Sequence, residues 1–251
     1  MTRSDDVVHA IARREFLRRA GTVGLVVAGA STLAGWTGLA GAGVLGAPSG
    51  DDTPADPDAA LARLIRGNRR FVRGKPKHPV DSDERRHASV GKQIPFAAVL
   101  ACSDSRVPPE IIFDQGLGDL FVVRVAGNIA GPDELASLAY AAEHIGVDVI
   151  LVLGHDGCGA VETTIEVVEG RADPGEYAIL TDAIAPAVRT AQGSGASGTE
   201  LLQASVEQNV RIVTAQVPEQ SDGIDAEIAR RELAVVGGVY HLTTGKVTLL
   251  D

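Results

Sequence analysis

Phe96-Ala97-Ala98-Val99-Leu100-Ala101-Cys102-Ser103-Asp104-Ser105-Arg106 is the stretch that decides the fold. Its first six residues form an unbroken apolar run. Such a run marks a strand buried on both faces, as in a parallel sheet, because a strand with one wet face would alternate. A thiol, a carboxylate and a guanidinium follow at once. The pattern returns downstream, where Val149–Leu153 is apolar and leads into Gly154-His155-Asp156-Gly157-Cys158-Gly159. Between the two lies a third apolar run, Leu120–Val125.

Helical segments separate these strands. Residues 58–73 read as a helix with Asp58 as N-cap, and a short helix is expected over 83–91. Pro132–Ile145 starts with proline in its first turn. Val161–Val168 and residues 178–192, 199–216 and 222–231 are further helices. Leu233–Tyr240 and Lys246–Leu250 read as strands joined by a Thr-Thr-Gly turn. Strands alternating with helices predict an α/β fold: a mostly parallel central sheet flanked by helices, with a C-terminal edge strand that can run antiparallel.

Composition agrees with a globular α/β chain: of 251 residues, 45% are hydrophobic, 22% charged and 4% aromatic, so Val, Ile, Leu and Ala must build the core. The net charge of −10 argues against a nucleic-acid partner, which requires a basic face. The arginines of 63–73 are interleaved with Leu64, Ile65 and Phe71 at helical spacing and read as a solvated helix face.

The N-terminus is organised differently. Arg13-Arg14-Glu15-Phe16-Leu17-Arg18-Arg19 precedes a Gly/Ala/Val-rich stretch ending in small residues, either Ala40-Gly41-Ala42 or Leu45-Gly46-Ala47. This is the order of a twin-arginine export leader. Residues 1–47 are therefore expected to be a signal peptide, 48–57 an acidic linker and 58–251 the folded domain. Export by the twin-arginine route then places the mature protein in the periplasm or outside the cell, with no stable membrane anchor. The alternatives are an uncleaved anchor, since the stretch is long enough to span a bilayer, and a cytoplasmic helix.

Ligands of open parallel sheets bind at the carboxyl ends of strands, and both polar clusters sit at such ends. Cys102, His155 and Cys158 form a good Zn²⁺ set of borderline-soft donors. His155 and Cys158 share one loop at H-x-x-C spacing, and Cys102 arrives from another strand. Three protein ligands leave the fourth tetrahedral position open, as catalytic sites do. Asp104 can fill that position as a ligand or pair with Arg106 and leave it free. Simpler readings stay open here: a Cys102–Cys158 disulfide, two inert thiols, a core histidine at His155, a plain ion pair at Asp104–Arg106, and a turn residue at Asp156.

Ala101-Cys102-Ser103-Asp104-Ser105-Arg106-Val107 and Gly154–Gly159 resemble the two signature motifs of β-class carbonic anhydrases, and Phe121–Asn128 resembles a segment between them. The likeness runs over about residues 60–251. It implies one zinc ion per subunit on Cys102, His155 and Cys158, a gating dyad of Asp104 and Arg106, a substrate-positioning Gln93 and a pocket-lining Phe121. It also implies reversible hydration of CO₂ to bicarbonate through zinc-bound hydroxide, in a homodimer or higher homo-oligomer whose pocket is completed across the dimer interface. Arg124 resembles an arginine of a non-catalytic bicarbonate site in some members; the tryptophan that accompanies it there is replaced by Val99. Two further functions fit the same residues: hydrolysis of a CO₂ analogue such as carbonyl sulfide or carbon disulfide, and a non-catalytic zinc protein. The latter is expected to have lost Asp104, Arg106 or Gln93, and all are present.

Overall fold

The computed structural model describes residues 54, 56–77 and 83–250. The expected leader over 1–47 and most of the expected linker over 48–57 lie outside the described residues.

A five-stranded sheet has the order β2-β1-β3-β4-β5. Its strands are β1 (Ala97–Ala101), β2 (Leu120–Arg124), β3 (Val149–His155), β4 (Ala234–Tyr240) and β5 (Val247–Leu250). β1 through β4 pair in parallel and β5 closes one edge antiparallel to β4. The α/β fold expected from the sequence is thus the fold observed. β1 and β3 occupy the interior and are buried throughout, whereas β2 at the other edge is only half-buried.

The helices are α1 (Pro57–Val72), α2 (Asp83–Ala88), α3 (Pro109–Ile112), α4 (Pro132–Tyr140), α5 (Gly159–Val168), α6 (Ala178–Gly193), α7 (Gly198–Glu219) and α8 (Asp222–Ala229). α1 begins one residue earlier than the pattern suggests. Asp56, not Asp58, is its N-cap, accepting from the Ala59 amide at 2.8 Å, because Pro57 takes the first helical position where no N–H is needed. The segment expected as one helix to Ile145 leaves α geometry at Ala141, passes through a π turn and stops at Gly146 in the left-handed region. Among the described residues no helix is long and apolar enough to cross a membrane.

Two cores lie on the two faces of the sheet. One gathers Leu100, Ile150 and Val152 with Val161, Ile184, Val188 and Val210. The other gathers Val99, Leu151 and Leu153 with Leu64, Ile112 and Phe113. α7 lies close against β3 and β4, and a Cβ at Gly154 or Gly237 would fall 2.5 or 2.8 Å from Val210 methyls. Glycine at these positions permits the approach.

Candidate metal centre

Cys102 directly follows β1, His155 ends β3, and Cys158 occupies the N-cap position of α5. The parallel register Ala101↔Leu153 sets the ends of β1 and β3 side by side, so the two polar clusters meet. All three side chains are buried, and their ligand atoms lie within 4.8 Å of one another.

The two sulfurs are 3.9 Å apart and both cysteines are free, which removes the disulfide reading, since a disulfide needs about 2.05 Å. Two thiolates at about 2.3 Å from a tetrahedral zinc would stand about 3.8 Å apart, so the observed spacing suits a shared ion. His155 supports the same conclusion. Its Nδ1 lies 2.8 Å from the Asp156 carbonyl and donates to it. That bond leaves Nε2 as the bare nitrogen, and Nε2 is buried without a partner. A buried polar atom without a partner is costly, and a metal in the cluster would satisfy it.

The electrostatics point the same way. Hydrogen bonding from Cys158 is the main influence that pulls the Cys102 thiol down, against burial, with the neighbouring His155 and the Gly127 amide assisting. Pairing with Cys102, and then burial, push Cys158 up, while the Val161 and Ala160 amides in the first turn of α5 act in the opposite direction. Without a cation, only one of two adjacent sulfurs holds negative charge easily; a divalent ion removes that limit. Burial lowers the His155 pKa, but the neighbouring Cys102 sulfur outweighs it and raises the value.

Asp104 stands beside this cluster, with Oδ2 3.9 Å from His155 Nε2. Arg106 holds the carboxylate through its backbone N–H at 2.8 Å, Nε at 3.0 Å and a terminal nitrogen at 2.7 Å. These bonds, with the side-chain ones dominant, hold the Asp104 carboxyl well below the usual carboxylate range. Arg124 braces the same loop, donating to the Cys102 carbonyl at 3.1 Å and the Asp104 carbonyl at 2.6 Å. Asp156 is the turn residue expected: its carboxylate accepts from the Leu242 amide and ties the loop to the β4–β5 hairpin.

Gln93 and Phe121 are not brought to the cluster within one chain. Gln93 is exposed and precedes β1. Phe121 pairs with Ala98 near the start of β1 and packs against Tyr140. Sequence reasoning missed the Gly127 amide, which donates to Cys102 Sγ at 3.3 Å, and Asn209, which donates to the Gly127 carbonyl at 2.8 Å. The available signal was an amide among Val206, Val210 and Val213 on a mostly apolar helix face.

Fold and cluster together define an α/β protein with a Cys–His–Cys centre suited to a metal ion, at the carboxyl ends of parallel strands. A sequence profile described as carbonic anhydrase matches residues 97–247. "Carbonic anhydrase 2" of Mycobacterium tuberculosis is 41% identical over 198 residues, covering 78% of this chain and 94% of that protein. The solved β-carbonic anhydrase CcaA is similar with a TM-score of 0.60 and 27% identity, over 76% of this chain and 95% of its own. One of the two tetrameric β-carbonic anhydrases of Sordaria macrospora is similar with a TM-score of 0.56 and 25% identity, over 76% and 96%. The chain belongs to the β-class carbonic anhydrase family and is a carbonate dehydratase. This sets aside the non-catalytic reading.

Proposed function

We propose that this protein hydrates CO₂ reversibly as a zinc enzyme, with the ion on Cys102, His155 and Cys158. The observation that carries the reading is the convergence of the two sulfurs on a buried imidazole nitrogen that has no protein partner. Bound there, zinc would supply the Lewis acidity that makes water acidic enough to be a nucleophile near neutral pH. The surrounding side chains would do the rest. The Asp156 carbonyl holds the imidazole in one tautomer. Arg106 holds the Asp104 carboxylate beside the cluster as an ionised acceptor, able to orient an attacking water by accepting its proton in a hydrogen bond. The Arg106 bonds to both carboxylate oxygens favour the paired arrangement of Asp104 over its alternative role as a fourth ligand.

Gln93 and Phe121 would reach such a site from a second copy of the chain, in a homodimer or larger homo-oligomer. The leader pattern of residues 1–47 supports export by the twin-arginine route. Mass measurement of the secreted protein tests this, and an intact N-terminus refutes cleavage.

The test of function is metal analysis joined to a CO₂ hydration assay on the purified protein. The expected result is about one zinc per chain, with activity lost on chelation and restored by zinc. Full activity in metal-free protein refutes the proposal.

A further inference from the structure

We infer that Asn209 is a positioning residue for the Cys102 sulfur, acting through the Gly127 turn from a helix that donates no ligand. The inference rests on the reading of Cys102, His155 and Cys158 as a zinc site, and deepens it.

The turn joins the end of β2 to the site. Val125 N–H bonds the Ala101 carbonyl at 3.1 Å, and the Val125 carbonyl takes the Asn128 amide at 3.0 Å. Inside this turn Gly127 has φ 73°, and Asn128 follows at φ 44°. A non-glycine residue in the left-handed region persists only where its surroundings impose it. What the conformation achieves is the direction of one N–H: Gly127 donates to Cys102 Sγ at 3.3 Å, whereas an extended backbone there would aim the amide elsewhere.

Asn209 fixes the other side of the same residue. Its amide nitrogen donates to the Gly127 carbonyl at 2.8 Å, holding the Gly127 orientation from α7 across a sequence separation of 82. Asn209 is 2% exposed and is surrounded along its helix by Val206, Val210 and Val213, all buried. A primary amide on such a face is costly if left unpaired, so its bond to Gly127 is a strong constraint. The same helix packs Val210 against Gly154, the residue before His155. α7 therefore backs both the strand end that carries His155 and the turn that donates to Cys102. Groups that orient a ligand from outside the coordination sphere commonly change metal affinity when removed.

The experiment compares Asn209→Leu, which keeps the branching of the side chain, adds some bulk and deletes the donor, with Val213→Ala, which weakens the same helix face about one turn away. Zinc affinity is measured by competition with a chromogenic chelator, and the thiolate-to-metal charge-transfer band is recorded after cobalt substitution. Asn209→Leu is expected to weaken zinc binding about 10- to 100-fold and to shift the cobalt band. Val213→Ala is expected to leave both unchanged while lowering the melting temperature. If Asn209→Leu does not fold, Asn209→Ala, which adds no bulk, enters the same comparison. Parental affinity and an unshifted band in the Asn209 variant overturn the inference. So does an equal loss in Val213→Ala, which would reduce Asn209 to packing. Failure of the parent protein to bind zinc overturns the underlying reading instead.

Discussion

Gly154→Ala tests whether the close approach of α7 sets the geometry of the centre. A Cβ at this position would lie 2.5 Å from Val210 Cγ2 and 3.4 Å from Val206 Cγ1. Apolar carbons rest about 3.5–4.0 Å apart, so the methyl must displace Val210 or part β3 from α7 by about 1 Å. Overpacking of this kind costs about 1–3 kcal/mol. For a domain of this size that is a fall in melting temperature of about 2–12 °C. The shift falls on the residue before His155, and a misplacement of about 1 Å in a catalytic group can cost about 100-fold in rate. Thermal unfolding and stopped-flow CO₂ hydration read the two effects. Val210→Ala supplies the internal control. It should destabilise the parent by about 2 kcal/mol through lost burial and a cavity, yet partly relieve Gly154→Ala, so that the double variant is more stable than the sum of the single effects by about 1 kcal/mol. A Gly154→Ala protein with the parental melting temperature and kcat/KM would refute the reasoning.

Cys158→Ala removes one sulfur from a buried cluster, and it should lose both zinc and thermal stability because metal binding and folding are linked; stoichiometric zinc in that variant counts against Cys158 as a ligand. Asp104→Ala should retain zinc but lose about 100-fold in kcat, and parental activity would remove its assigned role. The sign of its pH effect also follows. A depressed carboxyl pKa stabilises the fold above its unfolded value of about 3.9, and this contribution fades as pH falls through the folded value. Asp104→Asn and the parent should therefore show parallel stability curves from about pH 5 to 9, converging only below about pH 4; divergence near neutrality would contradict the pairing with Arg106. Asn68→Ala should destabilise strongly without touching the chemistry. Its side chain is buried, donates to the Ile112 and Gly245 carbonyls, and accepts from the Val247 amide. Stranding those groups costs about 3 kcal/mol, with zinc content unchanged; a parental melting temperature would refute this.

The parallel sheet was legible because unbroken apolar runs have few other uses in a chain of this composition, and the pairing of the Cys102 and His155 loops followed from both lying at strand ends. Other features were not legible in this way. The π turn at Ala141–Ile145 leaves no mark in apolar periodicity. Asp58 and Asp56 both had the right chemistry for a cap, and only the position of Pro57 decides between them. Asn209 lies 82 residues from the carbonyl it holds, and nothing in its neighbours announces that partner. Arg124 stood out only through its resemblance to the arginine of a non-catalytic bicarbonate site, and its carbonyl partners in the Cys102 loop were not legible. Local pattern thus locates the candidate ligands, and tertiary packing decides what holds them in place.

The positions of Gln93 and Phe121 carry one more consequence. In the β1–β2 register Phe121 lies opposite Ala98, and Arg124 lies opposite Ala101 beside the cysteine end. At about 3.3 Å per residue, Phe121 is about 10 Å short of that end, and Gln93 is earlier still. If both residues serve the reaction, a second copy must present the starting end of its sheet to the finishing end of this one. A two-fold axis does so reciprocally, giving two equivalent composite sites. β2 is the sheet edge opposite β5, and Ile94 and Tyr140 nearby are exposed at 61% and 49%, which suits such a contact. The arrangement predicts complementation. Asp104→Ala and Gln93→Ala chains should each be nearly inactive alone. In a mixed dimer, one site collects both substitutions and the other has neither. After subunit exchange of equal amounts, half the dimers are mixed and half their sites are intact, so activity should return to about a quarter of the parental value. Native mass spectrometry verifies the exchange. If mixed dimers form and activity stays at the mean of the two variants, Gln93 does not act across the interface.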